Sequence, residues 1–104
     1  MQMIEYGSKD FDKNAWAAID KREPLQLIVR GEKQKTLKRA LVFYQDYFDA
    51  RRRGIKKRST WLKFGYYGIR APTFWGIYNH AELARMKVST EEREDCLIVS
   101  FHPS

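Results

Sequence analysis

Two histidines and a single cysteine, Cys96, occur in 104 residues, with only three prolines. One cysteine excludes an intramolecular disulfide, and the compartment expected from it is a reducing one: cytoplasmic, or nuclear in a eukaryote. His80, His102 and Cys96 match no zinc-ligand spacing, and no cofactor motif is present, so neither metal nor cofactor is expected. No apolar run approaches the roughly 20 residues that cross a bilayer. The opening MQMIEYGSKD lacks the basic lead and apolar stretch of a secretory signal. No membrane partner is therefore expected.

Acid is also missing from a long part of the chain. No Asp or Glu lies between Asp49 and Glu82. Inside that zone, Arg51 to Lys63 reads RRRGIKKRSTWLK and holds seven of the chain's 20 Lys and Arg. The other 13 equal the 13 Asp and Glu, so the formal net charge of +7 resides in this run. The same acid-free zone carries Trp61, Phe64, Tyr66, Tyr67, Phe74, Trp75 and Tyr78, seven of fifteen aromatics. Concentrated positive charge beside aromatic rings suits a polyanion, above all a nucleic acid.

At this length residues 1–104 form one domain, with 43% hydrophobic residues for its core. The apolar pattern predicts a short strand over 2–6, then a helix over about Lys9–Arg22 with Ser8 as its N-cap. Pro24 stops that helix, and Leu25 to Val29 reads as a buried strand. Leu37, Leu41, Tyr44 and Phe48 step by four, three and four, which predicts a long helix over Lys33–Arg53, with Gly54 as a left-handed cap. Ser59 to Ile69, rich in Thr, Trp, Phe, Tyr and Ile and interrupted by Gly65 and Gly68, is expected to be a strand bent at a glycine. Pro72 would open a helix over about 73–87, with a strand at Thr73–Tyr78 followed by a short helix as the competing pattern. Ser89 to Asp95 reads as a polar connection, and Cys96 to Phe101 as a last buried strand. The expected fold is α+β, in the order β-α-β-α-β-α-β, with two or three helices covering a small sheet.

The basic run divides by cause. The helix dipole favours cations in a last turn, which accounts for part of Arg51, Arg52 and Arg53. It does nothing for Lys56, Lys57 and Arg58, whose mutual repulsion gives the fold no stability. Phosphate contacts are therefore assigned to Arg51, Arg52, Arg53, Lys56, Lys57, Arg58 and Lys63. Lys35, Lys38 and Arg39, about 20 Å away at the start of the same helix, extend the surface. If 59–69 is a strand, Trp61 and Tyr67 are the rings best exposed for stacking on bases. These aromatics favour RNA or single strands over duplex DNA. Two other readings use the same letters. One is a small non-enzymatic inhibitor or adaptor, of the kind phages and plasmids encode, docked on an acidic or nucleic-acid-binding surface of a host complex. The other is a metal-independent ribonuclease toxin using His80, His102, Tyr66 and Arg70 for acid–base work. No catalytic motif supports the last, so the balance is against an enzyme.

Overall fold

The computed structural model describes residues 2–104. β1 (Gln2–Glu5), α1 (Phe11–Asp20), β2 (Leu25–Arg30) and α2 (Lys33–Arg52) come first. α3 (Arg58–Arg70), α4 (Pro72–Leu83), β3 (Met86–Glu92) and β4 (Cys96–Pro103) complete the α+β domain. The strands form one mixed sheet in the order β1-β2-β4-β3, parallel between β1 and β2 and antiparallel elsewhere.

Register aligns Leu25 with Phe101, Leu27 with Val99 and Val29 with Leu97, so these six buried side chains share one face. That face meets Ala15, Ala18 and Ile19 of α1, Leu37, Leu41 and Tyr44 of α2, and Phe74, Ile77 and Ala81 of α4, in a single apolar cluster. The long helix starts at Lys33, as its apolar spacing predicts, and ends at Arg52, one residue short of the expected end. Gly54 follows it at φ +70°, and the last turn closes with Ile55 N–H donating to Ala50 C=O and Gly54 N–H to Arg51 C=O. This is a Schellman cap, and it uses glycine because an L side chain is strained at that φ.

Residues 59–69 are not a strand. They lie within α3, and the element order is β-α-β-α-α-α-β-β, with four helices rather than two or three. β propensity here yields to packing. Phe64 and Tyr67 stand three apart, on one side of a helix but on opposite sides of a strand. Phe64 stacks on Tyr47 of α2 with ring centroids 3.8 Å apart, and Tyr67 on Phe43 at 5.1 Å. Only a helix delivers both rings to the same neighbour. Tyr44 then donates its hydroxyl to the Tyr67 carbonyl at 3.0 Å, which ties α3 to the core from below.

The missing strand is supplied by residues 86–92, which include most of the expected polar connection. As an edge strand β3 pairs only with β4, so most of its side chains stay exposed and polar without loss. α4 ends at Leu83, four residues before the expected end, because Arg85 turns left-handed at φ 59° and feeds β3. α1 is shorter than expected at both ends. Ser8 hydrogen-bonds the Glu5 carbonyl instead of capping α1, and the helix begins after Asp10, itself at φ 59°.

Candidate nucleic-acid interface

The basic run occupies the junction between α2 and α3. Arg51 and Arg52 lie in the last turn of α2, Arg53 is the C-cap, and Gly54 reverses the chain. Ile55 to Lys57 form the connection, with Lys57 extended at φ −102°, ψ 119°, and Arg58 opens α3. No acid is available within the junction, so its cations find partners elsewhere or not at all. Arg52 reaches Glu82 of α4, a carboxylate whose side chain is only 17% exposed. Arg53 pairs with Asp49 one turn back, at 3.5 Å. Among the described residues, no ion pair engages Arg51, Lys56, Lys57, Arg58 or Lys63. Lys63 instead stands 5.2 Å from the Phe43 ring centroid, a cation–π contact on the flank of α3.

The far end of α2 is electrostatically different. Lys38 pairs with Glu92, and Gln34 bonds the Asp95 backbone, so the acidic β3–β4 turn (Glu91, Glu92, Glu94, Asp95) sits beside it. Lys35 and Arg39 are exposed there and have no ion pair among the described residues. Acids crowd this end, whereas at the junction Glu82 and Asp49 serve only Arg52 and Arg53.

Between α2 and α3 the junction opens a groove of about 630 Å³. Tyr47, Ala50, Ile55 and Trp61 supply its apolar surface, and Thr60 its neutral hydroxyl. Arg51, Lys56, Lys57 and Arg58 line it too. Trp61 is 62% exposed and Ile55 45%. Tyr47 is held rigid from behind by the parallel Phe64 ring, inclined by 11°. Tyr44, Phe48 and Tyr78 back that pair, and burial pushes the phenols of Tyr44 and Tyr78 well above the ordinary tyrosine range.

The residues chosen from sequence therefore separate. Arg51, Lys56, Lys57, Arg58 and Trp61 converge on the groove, and Lys63 stands further along α3. Arg52, Arg53 and Lys38 are engaged by acids; Lys35 and Arg39 lie at the opposite end of α2. Tyr67 is half-buried against Phe43, because a helix turns it inward where a strand would have turned it out. Sequence reasoning missed Tyr47, Ala50 and Ile55. Ile55 alone left a signal, as the one aliphatic residue between the arginine and lysine clusters of the charged run.

The histidines are placed on other elements. His80 Nε2 donates to Asp20 Oδ1 at 2.6 Å and stacks on Trp16 at 4.0 Å, joining α4 to α1. His102 pairs with Lys87 across the sheet, while Tyr66 and Arg70 meet on the outer side of α3 with 5.9 Å from guanidinium to ring. No hydrogen bond or ring contact among the described residues links either histidine to that pair. No cluster of three or more His, Cys, Asp or Glu suited to a metal occurs among the described residues, and no helix there is long and apolar enough to cross a membrane. No protein-family model, no curated protein and no solved structure matches the chain.

Proposed function

We propose that this protein binds nucleic acid through the α2–α3 junction, with single strands and RNA preferred over duplex DNA. One observation carries the reading: Arg51, Lys56, Lys57 and Arg58 line one groove with no ion-pair partner among the described residues. Fold stability gains nothing from that concentration, since like charges repel. A phosphate chain is the partner that turns this cost into affinity, because each neutralised phosphate releases counterions. The groove's exposed tryptophan adds a surface that every base can stack on.

The test compares two sets of substitutions in an oligonucleotide-binding assay. Lys56→Ala, Lys57→Ala and Arg58→Ala combined should weaken binding to all sequences about equally. Lys35→Ala with Arg39→Ala removes charge from the other end of α2 and should leave affinity within about twofold, since its phosphate term is absent. Equal losses from both sets would refute a site at the junction.

A second reading has its own observation. The outer side of α3 exposes Leu62 (54%), Tyr66 (54%) and Ile69 (82%) at helical spacing, with Arg58, Lys63 and Arg70 alongside. An apolar stripe beside cations suits an acidic protein surface, as an inhibitor or adaptor would need. Tight binding to a purified acidic partner, lost on Leu62→Ser with Ile69→Ser, together with no oligonucleotide affinity, would favour it.

A further inference from the structure

We propose that the groove between α2 and α3 takes one unpaired nucleobase, with the phosphates flanking it held by Arg51, Lys56, Lys57 and Arg58. The inference rests on the nucleic-acid reading and adds what the groove does to the ligand. Three features carry it.

The first is the chemistry of the walls. A site for phosphate alone needs cations and backbone N–H groups, and an apolar floor would be useless to it. Here the cations line a groove whose other surfaces are Tyr47, Ala50, Ile55 and the 62%-exposed Trp61. A nucleotide has the same division, a flat apolar face beside a charged chain.

The second is size. At about 630 Å³ the groove falls in the range of small-ligand sites, roughly 300–1,000 Å³. It cannot accept a base still paired and stacked in a duplex, because the ring faces are then covered. The ligand is therefore single-stranded, or a loop from which a base is splayed out.

The third is rigidity. Tyr47 lies on Phe64, which in turn packs edge-on against Tyr44 and Phe48, so the groove's inner wall is preformed by the core. The turn is fixed by the Schellman cap at Gly54. Little ordering is left for the ligand to supply.

The same lining sets the specificity. Thr60, Tyr47 and the Trp61 indole N–H are its neutral hydrogen-bonding groups; Arg51 and Arg58 are assigned to the phosphates, and no carboxylate, Asn or Gln is there to read a base edge. Binding is expected to tolerate all four bases, with affinity set by stacking.

The experiment measures fluorescence anisotropy of a labelled 12-nucleotide single strand, a strand of equal length and charge made wholly of abasic sites, and a 12-base-pair duplex. Stacking of one base predicts that the normal strand binds roughly tenfold tighter than the abasic strand. Trp61→Ala should bring the two strands to the same affinity while leaving the salt dependence of both unchanged. Because Trp61 is exposed, its removal should leave the melting temperature intact, which separates a lost contact from a lost fold. Equal binding of normal and abasic strands, or duplex binding as tight as the normal strand, overturns the base site while the phosphate reading survives. No salt-sensitive binding to any of the three, or to inorganic polyphosphate, overturns both.

Discussion

Gly65 and Gly68 offer a direct check on the largest departure from sequence expectation, the helical state of 58–70. Gly65 sits in the middle of α3, and a Cβ built on it meets nothing within 4 Å. Helix propensity then acts alone, and Gly65→Ala should stabilise by about 0.5–1 kcal/mol. For a domain of this size that is a rise of roughly 4–8 °C in Tm per kcal/mol. Gly68 differs by one neighbour: its Cβ would lie 3.2 Å from Trp75 Cδ1 and 3.3 Å from Nε1. The indole must move by a few tenths of an ångström, so Gly68→Ala should gain less than Gly65→Ala or lose. Alanine beats glycine in strands as well, so Gly65→Val decides between the two states. In a helix valine falls below alanine by about 0.5 kcal/mol, whereas in a strand it ranks above. Urea unfolding of wild type and the three variants, with far-UV circular dichroism, should place Gly65→Ala above Gly65→Val, and both above wild type. A Gly65→Val variant more stable than Gly65→Ala would refute the helix.

Further outcomes follow from the core and the junction. Tyr44→Phe removes the hydroxyl that serves the Tyr67 carbonyl and should cost about 1 kcal/mol by urea unfolding; no change would mean that this bond does not anchor α3. Burial raises the Tyr44 and Tyr78 pKa values above 10, so folded protein keeps protons that the unfolded chain gives up. Their contribution is whole below pH 10 and is lost as pH rises beyond it, by up to about 1.4 kcal/mol per pH unit for each ring. The urea midpoint should therefore fall less steeply with pH in Tyr44→Phe than in wild type, and parallel slopes would contradict the burial argument. Glu82→Gln frees Arg52 at the end of α2 and should tighten oligonucleotide binding about fourfold near physiological salt, the worth of one added phosphate contact at roughly −0.7 in the salt slope; unchanged or weaker binding would show that Arg52 adds no such contact.

How far the sequence could be read depended on which residues carry the signal locally. α2 was legible because four apolar positions at helical spacing and a glycine cap all say the same thing. α3 was not, because its composition favours a strand and its only helical evidence is the relation of Phe64 and Tyr67 to rings on another element. The ends of α1 and α4 were hidden for a smaller reason: Arg22 and Arg85 take left-handed conformations where a glycine would have marked the stop. The same division runs through the site. Lys56, Lys57 and Arg58 stand out as charges with no structural excuse. The groove beneath them is formed between two helices, and Tyr47 looks from sequence like one more residue of the core stripe. That Arg52 finds an acid depends on Glu82 folding back from 30 residues away, whereas Arg53 and Asp49 are one helical turn apart and their pairing follows from the expected helix.

The salt dependence of single-strand binding tests the central claim most directly. Four unpaired cations on the backbone predict that log K falls against log [salt] with a slope of about −3, at roughly −0.7 per phosphate. Lys56→Ala, Lys57→Ala and Arg58→Ala combined should reduce that slope to about −1. A wild-type slope near zero, or one that the triple substitution leaves unchanged, would contradict the assignment of the α2–α3 junction to a nucleic-acid backbone.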